Sequence, residues 1–140
     1  MSPALVQRAR FGQVYWCDFP AGAPPEEFHA EHPVVVIRAA QDLHDTCVVI
    51  PITSQQHNPS PVVHKLRRNY NPAAPGLPVW AICREIYTVS QSRLRAFQHR
   101  GQQIVPKMDQ ADLDDVMACI RRALPQVFPP VPPAAVANDV

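Results

Sequence analysis

The 140-residue sequence predicts a mainly β domain, a compact barrel-like sheet with one C-terminal helix packed on it. Three features of the chain point that way. Short runs of β-branched and aromatic residues recur as far as position 106, and turn-forming residues separate them. The hydrophobic period shifts to that of a helix only after Asp109.

The elements follow in order. Residues 12–19, GQVYWCDF, alternate Val14 and Trp16 on one face with Tyr15, Cys17 and Phe19 on the other, which is a first strand. Residues 20–32, PAGAPPEEFHAEH, are rich in Pro, Gly, Ala and charge without a usable period, so they read as a long loop of the kind that carries function. PVVVIRAA (33–40) and TCVVIPIT (46–53) are continuous apolar runs with the look of paired core strands, and Pro51 marks an edge or a strand end. SPVVHKL (60–66) reads as a shorter strand. Three prolines and a glycine then break regular structure across 67–78.

VWAICREIYTV (79–89) returns to β composition, SQSRL (90–94) offers a serine cap for a short helical turn, and QQIVP (102–106) suggests a last short strand. From Asp109 onward, Leu113, Val116, Met117, Ile120 and Leu124 form one face of an amphipathic helix. Asp109 suits its N-cap. Asp112, Asp114 and Asp115 lie toward the positive end of the helix dipole, Arg121 and Arg122 toward the negative end, and Pro125 stops it. The expected organisation is one domain over residues 1–124 and a Pro-rich tail over 125–140.

Composition narrows the function classes. With 13 basic and 12 acidic residues the formal charge is +1, so any site for a polyanion must be local. Cys17, Cys47, Cys83 and Cys119 are widely spaced, with no CxxC pair and no signal peptide, and read as reduced, mostly buried thiols of a cytoplasmic protein. No apolar run has the length to span a bilayer, so no membrane role is expected. His29 and His32 lack a third ligand at metal-binding spacing, and no metal or cofactor is expected. Trp16 and Trp80 read as core or dimer-face residues, and HKLRR (64–68) reads as a solvated face or as a track for a phosphate backbone.

The order of segments resembles the PemK/MazF family of toxins. FGQVYWCDF looks like that family's opening Gly-Asp-(Ile/Val)-aromatic strand, and HPVVVI is similar to its Arg-Pro-aliphatic strand. VVIPITSQ resembles its Val-Pro-aliphatic-Thr-Ser strand end, and CREIYTVSQSRL its Asp-Gln-Ile-Arg-Thr block. The match runs from about residue 11 to 124. The resemblance implies an SH3-like β-barrel, a homodimer, and a ribosome-independent endoribonuclease (an mRNA interferase) acting on single-stranded RNA. It also implies a cognate antitoxin whose flexible segment occupies the RNA groove, with loop 20–32 as a lid. The chain departs from the family pattern where His32 replaces arginine before Pro33, where Arg84 and Glu85 replace an acid and Gln, and where Tyr87 replaces arginine.

Cleavage by the RNA's own 2′-hydroxyl needs a base for that hydroxyl, an acid for the departing 5′-oxygen, and support for the phosphorane oxygens. Carried over by position, the resemblance puts His32 and Thr53 at the scissile phosphate, with Arg84 or Glu85 completing the catalytic set. Ser54, Gln55 and Tyr87 become RNA-binding residues. Arg84 and Glu85 point to opposite faces of a regular strand, so only one of them would face the site. An ordinary histidine, with a pKa of about 6.5, is cationic in about a quarter of molecules at pH 7, yet it shuttles protons where arginine does not. As the acid or the phosphate-binding cation, His32 would give an activity that falls from about pH 6 to 8. The other reading kept open is a barrel that has lost cleavage and acts as an RNA- or protein-binding module.

Overall fold

The computed structural model describes residues 7–20, 22–24 and 28–129. Nine strands and one helix follow in order: β1 (Val14–Phe19), β2 (Ala30–Arg38), β3 (Thr46–Thr53), β4 (Val63–Lys65), β5 (Trp80–Ile82), β6 (Tyr87–Ser90), β7 (Leu94–Arg95), β8 (Phe97–His99), β9 (Gln102–Ile104) and α1 (Gln110–Ala123). A 3-10 turn over Gln91–Arg93 precedes β7, and Ser90 caps it by accepting from the Ser92 N–H.

The long strands are where β-branched residues are densest, and they form the centre of a seven-stranded sheet ordered β4-β5-β3-β2-β1-β7. One edge of β3 pairs with β2. Along the other edge, β6 pairs with Thr46–Val49 and β5 with Ile52 and Thr53, so the two short strands dock end to end. The expected barrel is not closed by strand pairing. The end strands β4 and β7 have three and two residues, too few to supply a closing ladder.

Burial on both faces explains the continuous apolar runs of β2 and β3. Val14, Val35, Ile50 and Ile52 pack on one side with Leu113, Val116, Cys119 and Ile120 of α1. Tyr15, Cys17, Phe19, Val34, Val36, Cys47 and Val49 form a second core on the other side. The predicted helical stripe is thus the face that docks. Each fully buried aliphatic side chain on it contributes about 1.5–3 kcal/mol. Gly12 makes the approach possible: its φ is +84°, its N–H donates to Val36 O, and its carbonyl accepts from Met108 N–H just before the helix.

Several boundaries differ from expectation. β2 begins at Ala30 rather than Pro33, because β1 continues its ladder down to the pair Phe19 and Ala30. Part of the loop at 20–32 therefore becomes strand, and His32 sits within it. Segment 79–89 is two strands, broken by a turn that the Glu85 N–H closes onto Ile82 O. Residues 97–104 form a hairpin whose Arg100 and Gly101 both have positive φ, the requirement of a tight two-residue turn. The tail residues 130–140 lie outside the described residues.

The acids at the start of α1 do more than complement its dipole. Asp112 is 0% exposed. It accepts from Tyr70 Oη at 2.7 Å, Arg67 Nη1 at 2.8 Å, His64 Nε2 at 3.0 Å and the Arg67 N–H at 3.2 Å. Burial alone would raise its carboxyl, but the hydrogen bonds from His64, Tyr70 and Arg67 outweigh that and hold it below the usual carboxylate range. Asp109 stands at the N-cap position without capping, because Arg68 takes its carboxylate through Nε at 3.1 Å and Nη2 at 3.3 Å. Within HKLRR, His64, Arg67 and Arg68 are therefore fastened to α1 rather than free to track a phosphate backbone, while Lys65 lies against Trp80 instead.

All four cysteines are buried free thiols. Burial pushes Cys17 up to about 12 and Cys47 to about 11, and it raises Cys83 as well. Among the described residues, no helix is long and apolar enough to cross a membrane.

Replacing Asp112 by Ala removes the shared acceptor of four donor groups on His64, Arg67 and Tyr70 and is expected to cost about 3 kcal/mol in urea unfolding, whereas Asp109→Ala, which breaks a half-exposed pair, moves the midpoint far less. Because the Asp112 carboxyl is depressed, its contribution stands in full above the ordinary carboxylate pKa. It is lost as pH falls through the lower folded value, so the gap between wild type and variant narrows in acid.

Candidate active site

The ends of β2 and β3 build the site. Val34 pairs with Pro51, and continuing this antiparallel register by two residues sets His32 opposite Thr53. On its other side His32 pairs with Cys17. Ala30, with φ of +63°, turns the chain into this strand. Where the strands run out, a pocket of about 230 Å³ opens, lined among others by Trp16, Glu31, His32, Thr53, Ser54 and Val79.

His32 is half-buried and meets Phe28 edge-on at 4.9 Å between ring centroids, with Phe19 at 6.4 Å. Burial lowers its pKa below the ordinary value. Backbone hydrogen bonds at His29 and Ile52 pull upward without outweighing it, and the charge of His29 adds to the lowering. Burial therefore favours the neutral imidazole over the charged one. Thr53 is 8% exposed, and its Oγ1 accepts from the Gln55 N–H at 3.1 Å, which leaves its own hydroxyl hydrogen available to donate.

The remaining sequence-predicted residues separate into two groups. Ser54 lines the pocket beside Thr53, while Gln55 contributes the backbone N–H that orients the threonine. Arg84, Glu85 and Tyr87 do not line it. Arg84 is exposed in the turn after β5, with its Nε 3.9 Å from Glu85 Oε1. Glu85 accepts from Tyr87 Oη at 3.3 Å, and that oxygen accepts from the Phe28 N–H at 2.9 Å. Tyr87 also packs at 5.0 Å from Phe19, one of the two phenylalanines that meet His32. The turn at 83–86 is the physical reason, since it ends the strand whose alternation would have aimed one of these side chains inward.

Glu31, Asn69 and Asn71 line the pocket and were not anticipated. Glu31 had a signal in its position beside His32. The asparagines had one in the Asn-Pro turn: Asn69 Oδ1 accepts from the Asn71 N–H, and Asn71 Oδ1 from the Ala73 N–H. They shape the wall through these turns. Elsewhere, His64, Asp112 and Asp115 bring ligand-type atoms within 4.8 Å of one another. Arg67 Nη1 lies 2.8 Å from both carboxylates and supplies the positive charge there.

Residues 10–124 match the PemK-like, MazF-like toxins of type II toxin–antitoxin systems. The chain belongs to this family. Solved structures that resemble this PemK/MazF-family chain include the following three. An endoribonuclease in complex with its cognate antitoxin, from a mycobacterial species, is 16% identical over 87% of this chain and 97% of its own, with a TM-score of 0.56. An endoribonuclease from a mycobacterial species is 16% identical over 94% and 97%, with a TM-score of 0.55. MazF from Deinococcus radiodurans is 14% identical over 89% and 97%, with a TM-score of 0.57. At these identities the likeness is one of fold, a mainly β sheet with a C-terminal helix. Among curated proteins none matches.

Tyr87→Phe removes the oxygen that holds the Phe28 N–H. Amide exchange at Phe28 is expected to speed up about tenfold, the loss of one hydrogen bond of about 1.4 kcal/mol, as read by hydrogen exchange. Unchanged protection would mean that packing alone holds this segment.

Proposed function

We propose that this chain is the toxin of a type II toxin–antitoxin pair and an endoribonuclease that cuts single-stranded RNA by 2′-hydroxyl attack without metal. The observation that carries this reading is the convergence of His32 and Thr53 on one pocket at the ends of paired strands, in a chain of the PemK/MazF family. The neutral imidazole takes the proton of the 2′-hydroxyl as that oxygen attacks phosphorus. The same ring, now protonated, returns a proton to the departing 5′-oxygen. The Thr53 hydroxyl donates to a phosphorane oxygen, and Ser54 lies within the same opening. DNA, lacking the nucleophile, is spared.

In this reading residues 1–124 are the toxin domain, 125–140 an appendage, and the bent sheet an opened SH3-like barrel. Sequence selectivity, a homodimer, an antitoxin segment seated in the RNA groove and a cytoplasmic setting belong to the same proposal. The antitoxin complex of one structural neighbour supports the partner. Glu85 and Tyr87 act as positioning residues for the Phe28 segment, and Arg84 stays at the periphery.

A second reading has its own observation. Among the described residues, no arginine or lysine lines the pocket. A barrel-like module that binds RNA or protein without cutting has no phosphorane to stabilise and so no need of a cation at this point.

The test is to incubate purified protein with long unstructured RNA in EDTA and to map new 5′ ends. Wild type is expected to cut, with His32→Ala and Thr53→Ala each slowing cleavage by about 10²–10³-fold. The depressed pKa reverses the pH dependence expected of a cationic His32. The base form dominates above the ordinary histidine value, so the rate rises with pH in the acid range and is level from about pH 7 to 8. RNA bound but left intact in every sequence context establishes the binding module instead.

A further inference from the structure

The register of the sheet places more than the catalytic pair in one line. Thr53 pairs with Trp80 across β3 and β5, and Trp80 pairs with Lys65 across β5 and β4. Directly opposed residues of neighbouring strands share a face and stand about 5 Å apart. Starting from His32, opposite Thr53 by register, the row reads imidazole, hydroxyl, indole, ammonium across four strands.

We propose that Trp80 and Lys65 form a nucleotide subsite beside the scissile phosphate, taking the next base on the indole and the next phosphate on the ammonium. The inference rests on the endoribonuclease reading above and extends it to how the strand is held. Three observations support it. First, Trp80 is half-buried and borders an open groove of about 420 Å³, whereas Trp16 packs against Phe97 at 5.3 Å. Second, the groove is lined by Gln56, His57 and Asn58, side chains that hydrogen-bond base edges, and no carboxylate is among its lining residues. Third, Lys65 Nζ lies 5.7 Å from the Trp80 ring, so the cation already covers the stacking surface.

An exposed cation–π contact is weaker than base stacking on an indole, so an arriving base displaces the ammonium, which swings to the phosphate on a flexible stem. Ser54 lines the catalytic pocket and Gln56, two residues on, lines the groove, so the two openings adjoin along the chain. A line across the strands is also the direction in which a polynucleotide meets each element once.

Binding is measured with short, random-sequence, 2′-O-methylated single-stranded RNA, which has no free nucleophile, and cleavage with unmodified long RNA. Trp80→Ala is expected to weaken binding about tenfold, Trp80→Phe to keep most of it, and Lys65→Ala to weaken it and reduce the salt slope by about one phosphate contact. In cleavage, Trp80→Phe and Lys65→Ala are expected to raise KM and leave kcat within about twofold. If Trp80→Ala and Lys65→Ala bind and cut like wild type, the subsite is overturned while the nuclease reading stands. If wild type neither binds nor cuts RNA, both fall. If wild type binds without cutting and the variants weaken binding as described, the subsite stands and the nuclease fails.

Discussion

The buried carboxylate of Asp112 is the interaction on which the geometry of this molecule turns. A charge at the start of α1, removed from water, is tolerable only with several donors, and they come from one stretch of chain: His64, Arg67 and Tyr70. That stretch runs from β4 into the loop whose Asn69 and Asn71 form a wall of the pocket. The helix therefore fixes, through one side chain, both the outermost strand of the sheet and the boundary of the site. Tyr70 works in two directions, donating to Asp112 and accepting from the Asp109 N–H at 3.0 Å, while Arg68 covers its ring at 4.1 Å.

A second constraint comes from the aromatic cluster around His32. Phe19 and Phe28 meet the imidazole edge-on, and Tyr87 packs in turn against both phenylalanines. The same packing that orders the start of β2 also removes solvent from the ring and disfavours its charge. A histidine at this position thus differs from an arginine in more than charge. An arginine stays cationic in such surroundings, whereas burial disfavours the charge of this histidine, which suits it to the proton transfer proposed above.

How much of this the sequence disclosed depends on whether the cause was local. The alternation of β1 and the stripe of α1 were legible because one-sided burial imposes a period on neighbouring residues. The joining of His32 to Thr53 was legible through the order of motifs. Asp112 was not: its partners lie 42 to 48 positions away, and beside Asp114 and Asp115 it looked like one more acid at a helix start. The break at 83–86 was hidden because Cys-Arg-Glu-Ile has strand composition. The hairpin at 97–104 was hidden because Arg-Gly lacks the usual Asn-Gly or Asp-Gly signature of its turn. The start of β2 was set by the ladder of β1, which the composition of 20–32 does not reveal.

The irregularity in the β2–β3 ladder lies between Val36 and Arg38, beyond the pairs that lead to His32 and Thr53. From Val36 toward the site the pairing is regular, and every position is counted from it. Length variation in the connecting loops leaves this count untouched. A single residue gained or lost between Val49 and Thr53 would turn the threonine toward the helix-facing core and expose Ile52 in its place. The spacing in the last half of β3 is thus held more tightly than the length of any loop that does not line the pocket.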